Sequence, residues 1–280
     1  MKFFILLLVV ASIFAGCIKN NPDPSWITIN NWTLEANPNG NNAGVLTKNF
    51  PYAWVYVNNE VLGVFELPCT IPVLASGTAE IRVYPAILDN GISATKKIYP
   101  FVEHQTVNAE LIQNQVLEIN PITRYVSNAK FHIQDFEGAN TNFENTANST
   151  ASLILQSNAN NSFGRIYLNS SQDNWEAFWN DGLPLSAGQD AYLEIDYYNT
   201  NSFTQGVVIE KQDGNVISQM NITMNAQAND AVVWKKIYID LKEIVSVSQG
   251  VYFVQTFQAK LDDGDTEGLI YIDNIKIVHY

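Results

Sequence analysis

Tyr52-Ala53-Trp54-Val55-Tyr56-Val57-Asn58-Asn59-Glu60-Val61-Leu62-Gly63-Val64-Phe65-Glu66-Leu67-Pro68 decides the fold class of this chain. Two runs rich in β-branched and aromatic residues flank Asn58-Asn59, and asparagine tolerates the positive φ that a tight hairpin needs. The stretch therefore predicts two antiparallel strands joined by a short turn. Toward the N-terminus, Ile27-Thr28-Ile29 and Trp32-Thr33-Leu34-Glu35 read as strands, set apart from the hairpin by the turn-rich run Asn37 to Asn42. Toward the C-terminus, Gly77 separates Ile71 to Leu74 from Ala79 to Pro85, Asn90-Gly91 marks another turn, and Gln113-Asn114 divides Val107 to Leu111 from Val116 to Ile119. Short strands with turn punctuation and no convincing helix predict a small β-sandwich over residues 26–126.

A boundary is expected near Tyr125-Val126-Ser127-Asn128, and a second unit is expected over residues 127–280. Its strands read as Ala151 to Gln156, Gly164 to Leu168, Tyr192 to Tyr198, Gly206 to Lys211, Trp234 to Asp240, Val251 to Ala259 and Leu269 to Val278, with a hairpin turn at Asp213-Gly214. Leu241 to Val245 is the one helix-like fragment. The expected fold is thus all-β: a small β-sandwich followed by a jelly-roll β-sandwich.

Ahead of both units, Lys2 leads into an apolar run from Phe3 to Ala15. That run is too short to span the roughly 30 Å of a bilayer core, and residues 1–16 read as a signal peptide. The run closes on Phe14-Ala15-Gly16-Cys17, which resembles a bacterial lipobox. The resemblance implies that Cys17 becomes a lipid-bearing N-terminus and that residues 17–25, with Pro22 and Pro24, form a tether. The alternative is an ordinary secretory signal with an unmodified Cys17. Each buried acyl CH2 contributes about 0.8 kcal/mol, so multiple acylation would hold the chain at a membrane. The expected location is the outer membrane, on either its periplasmic or its outer face.

Composition narrows the partners. Against 28 Asp and Glu stand 15 Lys and Arg, for a net charge of -13, which moves to -14 once Lys2 leaves with the signal. An acidic body repels nucleic acid, and that class of partner is excluded. Of the two cysteines, Cys17 carries the expected lipid, which leaves Cys69 to pack as a small hydrophobe.

Two further resemblances follow from particular residues. Val55 to Gly63, Leu67 to Leu74 and Gly77 to Val83 look like a PEGA-type surface domain, which implies a non-catalytic scaffold. Asp135-Phe136-Glu137-Gly138, Tyr192 to Tyr197, Trp234 to Leu241 and Ile270 to Ile277 resemble the galactose-binding-like jelly roll shared by many carbohydrate-binding modules. The combination looks like lipoproteins of Bacteroidetes-type bacteria.

Catalytic motifs do not emerge. His104, His132 and His279 sit in no metal pattern, and the chain has no Gly-x-Ser-x-Gly, phosphate-binding glycine loop or Cys-x-x-Cys. The expectation is a non-enzyme, with a hydrolase built on dispersed carboxylates as the distant alternative. The jelly-roll resemblance implies a structural calcium held by Asp135, Glu137 and Asp273, whose hard oxygen ligands suit that ion; the alternative is acids capping strand ends in solvent. The acid-rich run Asp262 to Glu267 reads as a solvated hairpin tip.

For binding, Trp175 and Trp179 fall on one face of a strand while Phe178 falls on the other. Exposed, the pair would stack on a sugar or anchor a partner, with Tyr198 bordering the same surface; buried, it would belong to the core. The leading functional expectation is an interaction or accessory subunit of an outer-membrane protein assembly. The alternative is a surface lipoprotein that binds glycans through the jelly roll.

Overall fold

The structure, a computed structural model, describes residues 23–38, 42–139, 141–159, 161–228 and 230–280. The leader, Cys17 and the tether up to Pro22 lie outside the described residues. Among those described, no helix is long and apolar enough to cross a membrane.

The hairpin that decides the fold forms as its sequence predicts. Asn58 and Asn59 take φ of 50° and 68°, and they join Tyr52–Val57 to Glu60–Glu66 with Val57 opposite Glu60. The long strand Gly77–Leu88 pairs beside this hairpin, and Lys96–Ile98 and Gln105–Leu111 complete the sheet along its other edge. A three-stranded sheet of Cys69–Val73, Ser25–Ile29 and Val116–Ile119 lies against it, the last two strands running parallel. Alternation sends Ala53, Val55, Ile81 and Val83 from the larger sheet, and Ile27, Ile29, Ile71 and Val73 from the smaller, into one core. Cys69 packs partly buried at its margin.

The C-terminal unit is a sandwich of two antiparallel sheets. One holds Ile154–Ser157, Ser162–Asn169, Glu267–His279, Ala191–Asn199 and Lys235–Asp240 in that order, with Lys130–Gln134 paired to the end of Glu267–His279. The other holds Phe143–Asn145, Asn174–Leu183, Gly250–Lys260, Phe203–Lys211 and Val216–Met224. Apart from the hairpins Ile154–Ser157 with Ser162–Asn169 and Phe203–Lys211 with Val216–Met224, successive strands cross between the sheets, which is jelly-roll winding. Isoleucines on the first sheet (Ile195, Ile237, Ile239, Ile270, Ile272, Ile275 and Ile277) meet Trp175, Trp179, Phe203, Phe253 and Phe257 from the other. Each such side chain contributes roughly 1.5 to 3 kcal/mol by leaving water. The helix-like fragment becomes Lys242–Ser248, docked on this core through Ile244 and Val245.

The two units share a buried seam. Tyr192, Tyr238 and Val278 turn away from the jelly-roll core and join the N-terminal one beside Phe50, Tyr99, Phe101 and Tyr125. At its centre Glu194, fully buried, accepts from the Tyr99 hydroxyl at 2.6 Å and the Tyr125 hydroxyl at 2.9 Å, and pairs with the Lys236 Nζ at 2.9 Å. Asn90 donates its backbone N–H to the Tyr238 carbonyl, and its side-chain oxygen accepts from the Asp240 N–H. The N-terminal unit thereby covers one end of the outer face of the six-stranded sheet.

Candidate functional site: an aromatic face ending in a polar pocket

The uncovered end of that outer face is where the polar and aromatic side chains converge. Along Ala191–Asn199, Leu193, Ile195 and Tyr197 point into the sandwich, so Tyr192, Glu194, Asp196 and Tyr198 point outward. The N-terminal unit buries Tyr192 and Glu194, Asp196 lies at its margin, and Tyr198 stays half-exposed. The neighbouring Glu267–His279 carries a bulge. Glu194 faces Lys276 and Asp196 faces Asp273, so Asn274 and Ile275 together oppose Ile195. Asn274 takes φ of 47°, a left-handed conformation that asparagine accepts. Bulges re-aim side chains. Here Asp273 and Asn274 both line one pocket, although an unbroken strand would send neighbours to opposite faces.

That pocket has a cavity of about 360 Å³. The Asn274 amide donates to Asp196 Oδ2 and to Asp273 Oδ2, at 3.1 Å each, and Asn161 Nδ2 donates to Asp273 Oδ2 at 2.9 Å. Lys236 Nζ reaches Asp196 Oδ1 at 3.3 Å and Thr47 Oγ1 at 3.1 Å. Val45, Thr47 and Lys48 form the wall on the N-terminal side, and Trp234 flanks the opening. Burial pushes the Asp273 carboxyl up to about 6, against its amide donors and aided by the Asp196 and Glu137 charges. Burial also pulls the Lys276 ammonium down to about 8, despite the Glu194 charge beside it. Desolvation alone would raise Glu194, yet the adjacent Lys236 and Lys276 ammoniums hold its carboxyl below its ordinary value.

Next to the pocket lies an aromatic floor. Tyr198 stacks on Tyr271 with centroids 5.3 Å apart, Trp234 lies 6.2 Å from Tyr198 and 6.3 Å from Tyr271, and Phe163 underpins Trp234 and Tyr271 at 5.7 and 4.9 Å. Trp234 is 45% exposed, unusual for so large an apolar side chain. Beyond the floor another hollow, of about 340 Å³, is lined by Arg165, Tyr167, Thr200, Glu267 and Tyr271.

The residues singled out from sequence fall in different places. Tyr198 belongs to the aromatic floor. Trp175 and Trp179 do not border it: both are fully buried at 0% exposure, and the exposed-pair expectation is corrected. Their strand, Asn174–Leu183, faces the other sheet with its odd-numbered residues. Its polar neighbours are satisfied on the opposite face, where Glu176 accepts from Thr146 and Asn180 donates to Glu144. His132 stacks over Trp179 at 4.9 Å.

Asp135, Glu137 and Asp273 are each engaged separately. Asp135 accepts from the Glu137 N–H, Glu137 from the Ser162 N–H, and Asp273 from Asn161 and Asn274. Among the described residues no group of three or more His, Cys, Asp and Glu is placed to hold a metal ion. Asp263 to Glu267 are exposed at a turn between two strands.

Sequence reasoning did not single out Trp234, Tyr271, Asp196, Asn161 or Asn274. A signal for Tyr271 was present: in Ile270-Tyr271-Ile272, isoleucines that face the core oblige the tyrosine to face outward.

No protein-family model matches this chain, and no curated protein matches it. Solved structures with partial likeness include one from a study of the promiscuous specificity of carbohydrate-binding modules of the β-sandwich superfamily. It is 16% identical over 80% of this chain and 83% of its own, with a TM-score of 0.38. A family 29 carbohydrate-binding module is 13% identical over 54% of this chain and 88% of its own, at a TM-score of 0.32. The CBM22-1–GH10 modules of Clostridium thermocellum xylanase 10B, complexed with xylohexaose, are 14% identical over 53% of this chain and 28% of theirs, at 0.38. At identities and TM-scores this low, none of them bears on what this chain binds. Fold and site together define an all-β protein of two packed units with an open aromatic face.

Proposed function

We propose that this protein is a non-catalytic glycan-binding protein, displayed from an outer membrane by lipid on Cys17, with the face around Trp234, Tyr198 and Tyr271 as its binding surface. The observation that carries the reading is the junction of an exposed aromatic floor with a pocket of carboxylate and carboxamide groups. A sugar ring offers an apolar C–H face that stacks on aromatic rings and a rim of hydroxyls that pair with Asp, Asn and Lys side chains. A cavity of about 360 Å³ is in the range of small-ligand sites. Buried Asp196, Asp273 and Asn274 are pre-positioned by one another, which limits the ordering cost of binding.

This surface supports glycan binding over the role of accessory subunit in an outer-membrane assembly, because its polar groups converge in a concavity sized for a small ligand. Gel electrophoresis through immobilised xylan, glucan, mannan and galactan tests the reading. Retardation by at least one polysaccharide is expected, and uniform migration through all of them would remove it. The anchor is tested separately by labelling cells with a fatty-acid analogue: the parent chain is expected to take up label and Cys17→Ala to take up none. Label on the variant would overturn the assignment.

A further inference from the structure

Along the strand direction the aromatic face is covered by the N-terminal unit at one end and not at the other, and this bears on which part of a glycan it accepts. Along the strand direction, Tyr192 and Glu194 lie under the N-terminal unit, Asp196 lies in the pocket, and Tyr198 lies on the floor. The closing wall is the segment from Gly44 to Asn49, and it is fixed to the sheet by several bonds. Lys276 Nζ donates to the Val45 carbonyl. Lys236 Nζ donates to Thr47 Oγ1, the Asn49 N–H to the Tyr238 hydroxyl at 3.0 Å, and Asn49 Nδ2 to the Lys236 carbonyl at 3.1 Å. Gly44 starts the wall at φ of 64°, a left-handed conformation that glycine adopts without strain, and a Cβ there would lie 3.2 Å from Ile133 Cδ1, so the segment runs close against the sheet. Behind the wall Phe50 stacks on Tyr238 at 5.7 Å. A chain running along the strands from Tyr271 toward Asp273 meets Val45 and Thr47, whereas at the opposite end Glu267 is exposed and Arg165 half-buried.

We propose that the face recognises the end of a neutral glycan chain: the terminal sugar enters the pocket against Val45 and Thr47, with its hydroxyls on Asp196, Asp273 and Asn161, and the following sugars lie over Tyr198, Tyr271 and Trp234. This rests on the glycan reading above and adds which part of the chain is bound. It also makes the site composite, since the wall comes from the N-terminal unit and the floor from the jelly roll. An internal stretch of polysaccharide laid along the strands has no further exit past the wall.

Calorimetry on the full chain tests this with linear xylo-, cello- and manno-oligosaccharides from monosaccharide to hexasaccharide. Each is also prepared reduced at one end and O-methylated at the other. For the series that binds, affinity is expected to level off at short length, and capping one of the two ends is expected to lower it tenfold or more. Val45→Trp, which fills the pocket from a side chain already 47% exposed, is expected to abolish binding with an unchanged melting temperature. Affinity that climbs to the hexasaccharide and ignores both caps would overturn chain-end recognition while leaving glycan binding intact. Absence of binding across all three series and the four polysaccharides would remove both readings together.

Discussion

Two tryptophan-bearing aromatic groups in the same sandwich have opposite environments. Trp175 and Trp179 alternate with Glu176, Phe178 and Asn180 and are fully buried, whereas Trp234, just ahead of its strand and beside Tyr198 and Tyr271, lies open on the outer face of the six-stranded sheet. Both groups obey the period of two. What differs is the layer above each face. Trp175 and Trp179 point toward the facing sheet, where Trp175 closes the core against Phe143 and Phe257. Trp234, Tyr198 and Tyr271 point away from the sandwich, toward a region that the N-terminal unit covers only as far as Asp196. Alternation divides side chains into two sets, and the neighbouring layer decides which set meets water.

Breaking the buried pair should have the largest effect. Trp175→Ala or Trp179→Ala leaves a cavity among well-packed rings and is expected to cost about 3 to 5 kcal/mol each. A denaturant melt of either variant that overlays the parent would show that the pair is not core. Comparable in size is Glu194→Ala, which leaves the Lys236 and Lys276 ammoniums buried near one another without their shared partner; removing one member of a buried pair costs about 3 to 5 kcal/mol. Unfolding followed by tryptophan fluorescence and circular dichroism should show the loss, and an unaltered midpoint would count against the seam as drawn.

Asp273 gives a smaller effect with a definite sign. Its folded pKa, pushed up to about 6, lies above its ordinary value of 3.8. Its contribution to stability is therefore complete below about pH 4 and is lost as pH rises through about 6. At about 1.4 kcal/mol per unit the swing is on the order of 2 to 3 kcal/mol. Asp273→Asn cannot titrate, so its stability profile should lack this fall between about pH 4 and about pH 6, whatever fixed cost the substitution brings. Parallel profiles for the two proteins would remove the shifted carboxyl from the site.

Smallest in stability is Trp234→Ala. With 45% of its surface already in water, truncation should move the melting midpoint by less than about 1 kcal/mol equivalent. Glycan affinity should nevertheless fall by about 2 kcal/mol, roughly thirtyfold. A large stability loss with no specific binding loss would make Trp234 a core residue and erase the contrast between the two groups.

Much of the fold was legible because it depends on local rules. Asn58-Asn59 adopts the positive φ its side chains tolerate, Asn90-Gly91 and Asp213-Gly214 turn where their residues allow, and the alternating isoleucines of Ile270 to Ile277 face the core. The short strand Phe143–Asn145 was missed, since its three residues carry too little pattern to stand out. The site was legible only in pieces. Tyr198 was visible as a bordering aromatic, whereas Asn161 reaches Asp273 across 112 residues and Thr47 reaches Lys236 across 189. No spacing in the chain encodes such distant meetings.

The sequence by itself determined the all-β class, the turns, the acidic balance and the division of each strand into two sets of side chains, because these follow from backbone sterics and from charge and polarity read residue by residue. Only the tertiary structure decided that Trp175 and Trp179 are sealed while Trp234 and Tyr271 are open, that a bulge turns Asp273 and Asn274 into one pocket, and that residues 44–49 close it. Exposure is a property of what packs above a surface, and that layer arrives from elsewhere in the chain.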